Sequence, residues 1–386
     1  MLGFETFIAS KIISSKPYKN TISAPIIKIS ILSIIIGFLM MLISISTGLG
    51  LQKTIQNKVS SFFGHITISN FQNNSSQLSS NPVSIEQDFY LNNNINDINH
   101  IQSVAYKSGV ILTDTDFEGI VFKGINDDFN FKIFSQHMVE GKLPNINNSV
   151  TREVIISKYL SKRLKLKLNQ KLKVSFLNTN SSIPSERNFK ISGIYDTGLN
   201  EFDEIYLIGD IKHIQLVNNW ETNQIGSFEI FINDFDKMKQ VSSQLYEISS
   251  SNLDVIDISQ KFFEIFNWIA LFDMNILLII VIMILVSGIN MITALIVTIL
   301  EKSKLIGVLR VVGSSKSSLR NIFLINGVYL ISIGLFFGNL IGLGLIFFQK
   351  ITGFIKLNPE TYYVSVVPVD INLFNIILLN LGIIFF

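Results

Sequence analysis

The chain has 386 residues, 48% of them hydrophobic and 16% charged, with a formal net charge of +2 and a mean hydropathy of +0.42. A soluble domain carries roughly 25% charged residues, so the composition points away from a wholly water-soluble fold; the net charge says little by itself, and no nucleic acid is expected as a partner. The absence of cysteine excludes disulfides, thiolate metal sites and a lipid-modified cysteine on this chain.

Residues 1–28 carry Lys11, Lys16, Lys19 and Lys28 against Glu5. Phe4, Phe7, Ile8, Ile12 and Ile13 recur at three- to four-residue spacing. This predicts an amphipathic helix along the membrane surface, ended by Pro17; the alternative is a frayed chain end. Residues 29–52 contain no Asp, Glu, Lys or Arg. About 20 apolar residues cross a bilayer, so this is the first expected transmembrane helix. It exceeds the roughly 7–15-residue apolar region of a signal peptide and is expected to remain as an anchor.

Residues 53–272 hold 20 basic and 24 acidic residues and are long enough for a core of their own. Alternation at 65–71 predicts a strand. Residues 153–176 read as strand, basic helix and strand, 188–196 and 226–234 as further strands, 235–248 as a helix, and 72–82 as a loop. The segment is an expected α+β domain with room for two lobes. From residue 257 the pattern turns helical, with Phe262, Phe263, Phe266 and Ile269 on one face and Trp268 where an interfacial aromatic would sit. One long helix is expected to start outside the membrane and continue as the second transmembrane helix, 273–300.

The loop 301–320 follows, then a third transmembrane helix at 321–349, an outer loop at 350–370 and a fourth apolar stretch at 371–386. The last has only 16 residues, so it is a span cut short or one that ends in the interface. In the 301–320 loop, Leu305, Ile306, Val308 and Leu309 form an apolar set among Lys302, Lys304 and Arg310. Gly313 breaks the pattern, and Ser314 or Ser315 can cap the next helix. A short amphipathic helix between two spans can dock in a groove on a cytoplasmic partner; the alternative is a hairpin that meets only lipid headgroups. Gly334, Gly338 and Gly342 stand at strict four-residue spacing, which lets helix backbones approach closely, although glycine is common in membrane helices.

Excess Lys and Arg in short loops marks the cytoplasmic side. The N-terminus and residues 301–320 are therefore expected inside, and 53–272 and 350–370 outside. No span has an ionisable side chain in its core, which argues against transport driven by an ion gradient. Two serines separate Gly313 from Lys316, so the stretch is not a phosphate-binding loop. His65, His100, His137 and His213 show no metal-ligand spacing, and the acid pairs Asp127-Asp128 and Asp203-Glu204 read as solvated turns. No catalytic residue and no metal is expected.

Residues 291–334 resemble the FtsX-like permeases of ABC transporters, and among them the lipoprotein-releasing LolC/LolE type. The resemblance is carried by Glu301-Lys302, the step from Ile306 to Leu309, Gly313, and Asn290 in the second span. Leu305 departs from it, since the family often has an acidic residue there. Residues 7–16, 65–69 and 362–371 are similar to the family's opening, first outer strand and approach to the fourth span. The resemblance implies a four-helix membrane protein with a large α+β periplasmic domain between helices 1 and 2, in the bacterial inner membrane with its N-terminus cytoplasmic. It also implies a subunit that is not an enzyme and binds no cofactor, with ATP and Mg held by a cytoplasmic ABC ATPase dimer. A second permease copy or a paralogue would complete the complex. Its function would be ATP-driven extraction of lipoproteins, the cargo entering from membrane lipid between spans one and two of opposing subunits and leaving on a periplasmic carrier.

Coupling to the ATPase would fall to Glu301, Lys302, Ile306, Gly307, Leu309, Arg310 and Gly313. Residues 184–189 resemble the hook loop of the LolC-type subunit, which makes Ile183, Pro184 and Arg187 the expected carrier-binding hook. An apolar prong stiffened by proline loses little entropy on binding; an ordinary hydrophilic hairpin turn is the alternative. Two other functions share parts of the pattern. A macrolide-exporter-like permease normally has its ATPase fused at the N-terminus, for which 28 residues leave no room. An FtsX-type signalling subunit regulating a cell-wall hydrolase usually has a smaller outer domain.

Overall fold

The computed structural model describes residues 2–14, 23–73, 80–91, 95–113, 116–147, 149–177 and 184–385. They fall into two units, one of Met1–Lys53, Trp268–Lys356 and Val366–Phe386, the other of Thr54–Asn267 and Leu357–Ser365.

The first unit holds the greater part of three apolar helices, Ser23–Phe63, Phe263–Glu301 and Lys316–Thr352, of 41, 39 and 37 residues. Each is long and apolar enough to cross a membrane. At 1.5 Å per residue they are about 55–60 Å long, roughly twice a hydrocarbon core. The apolar helix Leu373–Phe385 has 13 residues, about 20 Å, which is shorter than that core. Ile34, Phe38 and Leu42 pack with Ile331, Leu335 and Ile346. Polar side chains tie the helices where water would be absent. Ser30 Oγ donates to the carbonyl of Asn290 at 3.0 Å, and Asn290 Nδ2 to Ser33 Oγ at 2.6 Å. Asn339 Nδ2 donates to Asn380 Oδ1 at 2.8 Å. Coverage is unequal: 39% of the apolar window is buried in the first and third helices but 6% in the second.

The N-terminal segment forms a helix over Leu2–Ser14. Its buried face is Glu5, Ala9 and Ile12, while Phe4 and Phe7 are exposed. The apolar spacing did not separate these faces because a helix of 13 residues with apolar groups on both sides has no single stripe.

The second unit is a ten-stranded sheet with short helices. Six strands close a ring. Ile98–Leu112 pairs with Phe117–Ile125, which pairs with Tyr206–Asp210, then Glu153–Ser157, Ser185–Tyr195 and Lys171–Phe176, which returns to Ile98–Leu112. Closure removes the unpaired edges that would otherwise template association. Phe122, Phe176 and Phe189 pack inside, with ring centroids 5.3–6.4 Å apart. The long strand Ile98–Leu112 also pairs with Ser227–Ile232, which continues through Ile66–Asn70 to Leu253–Asp257. Helix Met238–Ile248 lies near Leu253–Asp257.

These elements match the strands read at 65–71, 188–196 and 226–234, and the helix at 235–248, to within a few residues. The basic helix in 153–176 is confined to Lys158–Arg163, because Lys165 and Asn169 adopt left-handed backbone and turn the chain into the next strand.

The approach to the second long helix differs from the reading of one continuous apolar face. Asp257 accepts from the N–H groups of Ser259 and Gln260 at 2.9 and 3.0 Å and caps a short helix, Ile258–Lys261. Phe262 leaves helical geometry (φ −117°, ψ 50°), and the long helix starts at Phe263. Phe262 packs against Phe63 and Phe202 at 4.8 and 5.2 Å, whereas Phe263 is 66% exposed.

Candidate functional site

The turn between the second and third long helices has a defined geometry. Lys302 departs from helical backbone (φ −91°, ψ 16°), and Ser303–Val311 forms a separate nine-residue helix. Gly313 (φ +99°) closes it. The Gly313 N–H donates to the Arg310 carbonyl at 3.1 Å and the Ser314 N–H to the Leu309 carbonyl at 2.9 Å. This paired pattern satisfies carbonyls that a helix end leaves open, and the left-handed residue in it is usually glycine. Ser315 Oγ then accepts from the Ser318 N–H at 3.1 Å and caps the third long helix.

The short helix has two sides. Leu305 and Leu309 rest on Ala9, Ile12 and Ile322. The outer side presents Val308, Val311 and Val312, which are 60, 89 and 79% exposed, beside exposed Lys304, Gly307 and Arg310. A side chain at Gly307 or Gly313 would meet nothing within 4 Å. Arg310 Nη1 donates to the Ser314 carbonyl at 3.2 Å, which holds the guanidinium over the glycine turn. Two exposed valines on this short helix and a third at its C-terminal cap cost free energy in water and are suited to a partner's apolar groove, with the cations as a polar rim.

Of the residues expected to couple, Gly307, Arg310 and Gly313 lie on this outer surface, while Leu309 points inward and Ile306 is half-buried. Glu301 and Lys302 form an ion pair of 2.9 Å at the helix break; neighbouring surface charges of this kind contribute little. Sequence reasoning missed Val311 and Val312.

Gly334, Gly338 and Gly342 lie against Ile34, Phe38 and Leu42 in turn. A Cβ built at each would come within 2.5, 2.9 and 2.7 Å of those side chains. The two rows of four-residue spacing mesh, so the missing side chains set the distance between the first and third helices.

In the second unit, Pro184 is exposed at the loop end of the hairpin formed by Lys171–Phe176 and Ser185–Tyr195, and Arg187 is half-buried. Ile183 lies outside the described residues. Lys173 and Glu186 pair across the hairpin at 2.7 Å. Leu112, Phe117 and Leu177 stand exposed at the ends of the adjoining strands. Sequence reasoning missed them, because each is a single apolar residue at a strand end.

Among the described residues no group of three or more His, Asp or Glu could hold a metal ion. The histidines serve the fold. His65 Nδ1 accepts from the Ile232 N–H at 3.2 Å, and His137 Nε2 lies 2.7 Å from Ser61 Oγ. Burial lowers both, to about 4, with Lys58 adding to the effect at His137.

A family model for the MacB-like periplasmic core domain matches residues 29–248, and one for the FtsX-like permease C-terminal region matches residues 277–386. The lipoprotein-releasing system transmembrane protein LolC of Buchnera aphidicola subsp. Schizaphis graminum is 25% identical, over 96% of this chain and 90% of that protein. LolC of Neisseria meningitidis serogroup B is 20% identical, over 98% of this chain and 92% of that protein. The crystal structure of the periplasmic region of MacB from Actinobacillus actinomycetemcomitans is 15% identical, covering 50% of this chain and 87% of that one, with a TM-score of 0.35.

Proposed function

Because the chain belongs to the FtsX-like permeases of the LolC type, with a MacB-like periplasmic core domain, we propose that it is the membrane subunit of an ATP-driven complex that extracts lipoproteins from the bacterial inner membrane and passes them to a periplasmic carrier. A permease subunit of this family is not itself an enzyme. ATP and Mg bind to a separate cytoplasmic ATPase dimer, and this chain holds no cofactor. Residues 1–28 and 301–320 face the cytoplasm, 53–272 and 350–370 face the periplasm, and Leu373–Phe385 is the fourth membrane helix.

The observation that carries this reading is the outer side of Ser303–Val311. It offers Val308, Val311 and Val312 to a partner while Leu305 and Leu309 hold it to the rest of the first unit. ATPase closure pushes there. The second long helix supports the other half of the reading, since it leaves Leu277, Leu278, Val281, Ile282, Leu285 and Val286 exposed for lipid, for a second permease copy or paralogue, and for cargo. Each methylene leaving the bilayer for water costs about 0.8 kcal/mol. Three acyl chains therefore need a path lined by apolar surface, and two such helices facing each other supply one. In the sheet-bearing unit, Pro184 and Arg187, with exposed Leu177 beside them where the two strands of the hairpin meet the loop, receive the carrier.

The test is extraction of labelled lipoprotein from liposomes by the purified complex. ATP-dependent transfer to a carrier is expected, and its absence with an assembled, ATP-hydrolysing complex would overturn the reading. The match to the MacB-like core favours one alternative, a macrolide-exporter-like permease that transmits motion to its periplasmic domain. That alternative predicts ATP hydrolysis without lipoprotein extraction.

A further inference from the structure

The inner side of the short helix Ser303–Val311 does not rest on the long helices alone. Leu305 and Leu309 pack into a cluster whose buried members are Ala9, Ile12 and Ile322, with Ile8, Leu319 and Ile325 around them. Two of those three buried residues belong to the N-terminal helix. Ala9 is 0% exposed and Ile12 5%, so the surface under Leu309 is as much N-terminal helix as third helix.

A second attachment lies one turn earlier. Glu5 is 6% exposed, and Asn321 Nδ2 donates to its two carboxylate oxygens at 3.4 and 3.3 Å. A carboxylate is rarely buried without a partner, and this one is spent on fixing the first turn of the N-terminal helix to the start of the third. The helix is thus held at two points along one face, by a polar contact at Glu5 and an apolar one at Ala9 and Ile12. Its opposite face carries Phe4 and Phe7, 48 and 57% exposed, with the Lys11 ammonium 5.8 Å from the Phe7 ring. Aromatic rings beside a lysine suit the membrane interface.

From this arrangement we infer that the N-terminal helix is part of the force-transmitting element: Glu5, Ala9 and Ile12 are positioning residues that make the Ser303–Val311 helix, the N-terminal helix and the start of the third long helix move as one body. The inference rests on the ATP-driven reading above. A push on Val308, Val311 and Val312 is passed through Leu305 and Leu309 to Ala9 and Ile12 as well as to Ile322. Phe4 and Phe7 in the interface then act as the bearing against which that body tilts.

The experiment uses the full chain assembled with its partner ATPase in lipid nanodiscs. Ala9→Phe drives a ring between the N-terminal helix and Leu309. The expected result is an intact complex that hydrolyses ATP within about twofold of the unaltered complex and releases lipoprotein at least tenfold more slowly. Ala9→Ser, close in size, should restore release. A purely structural role would instead lower assembly, hydrolysis and release together, and that outcome, or normal release by Ala9→Phe, overturns the inference. Nitroxides at Val308 and Phe7 supply a readout that needs no cargo. Their separation should stay constant through ATP binding and hydrolysis, and a change overturns the inference. If the unaltered complex hydrolyses ATP without releasing lipoprotein, the function reading fails while the nitroxide result still decides this one.

Discussion

Lys123 closes the C-terminal end of the helix Ser23–Phe63: its ammonium donates to the carbonyl oxygen of Phe62. The same ammonium donates to both carboxylate oxygens of Glu229, at 2.8 and 2.9 Å, and Glu229 also accepts from Tyr106 and from Gln102 Nε2. The ammonium sits among the rings of Phe62, Phe63 and Tyr106 at 4.8–5.7 Å. Burial pulls the lysine pKa down and Glu229 pulls it back up. Helix carbonyls at a C-terminus lack intrahelical partners and carry partial negative charge, so a buried cation there joins the helix end to the sheet.

Removing one partner of this pair strands the other, because both side chains are essentially inaccessible, at 1 and 0%. Lys123→Met is expected to destabilise the sheet-bearing unit by about 3–5 kcal/mol, the range for breaking a buried ion pair. Adding Glu229→Gln should recover part of that loss, since an amide is far less costly to bury than an unpaired carboxylate. Chemical unfolding of the full chain in detergent measures both; equal loss in the single and double variants would contradict the account.

His65 and His137 make the same unit sensitive to acid. Both are lowered from 6.5 to about 4 by burial, so the unfolded chain takes up protons before the folded one does. Stability is then fully present above about pH 6.5 and is lost as pH falls towards 4. Asp203 works in the opposite sense over part of this range. Burial raises it from 3.8 to about 6, so its share of stability grows as pH falls from 6 to 4. Burial also lowers His213 and raises Asp128, so three histidines stand against two aspartates and acidification brings a net loss. His65→Gln should flatten the slope of unfolding free energy against pH between 6.5 and 4, which a denaturation series at several pH values would show.

The division between apolar helices and an α+β segment was legible because it rests on long-range composition. The ring of strands was not, since closure depends on Lys171–Phe176 pairing with both Ile98–Leu112 and Ser185–Tyr195, a relation that alternation along one strand does not encode. At the candidate site, the glycine stop and serine cap could be read because each acts locally, at Gly313 and Ser315. Which face of the short helix turns outward could not, since that depends on Ala9, some 300 residues earlier in the chain.

The glycine row offers a packing test. Gly338→Leu places side-chain atoms where Phe38 already stands, its Cβ alone 2.9 Å from Phe38 Cδ1. Overpacking of this sort costs about 1–3 kcal/mol. Gly344, two residues beyond the row, has nothing within 4 Å of a built Cβ, so Gly344→Leu should be near neutral. Denaturation midpoints in detergent compare the two. A further double variant, Gly338→Leu with Phe38→Ala, should recover much of the loss because the ring is the obstructing group.

The outer valines separate partner binding from folding. Val311→Asp with Val312→Asp puts two charges on residues that are 89 and 79% exposed, so the fold of the chain should be unaffected, exposed substitutions usually costing under about 0.5 kcal/mol. An apolar groove on an ATPase would instead have to bury them, and a buried charge without a partner is strongly disfavoured. Co-purification with the ATPase should fall at least tenfold while insertion and thermal stability hold. Gly313→Ala acts differently. It forces a side chain into φ +99°, a strain of about 1–3 kcal/mol, so the turn frays and coupling drops without a direct loss of contact surface. Equal ATPase retention by the double-aspartate variant and the unaltered chain would remove the short helix as the docking surface.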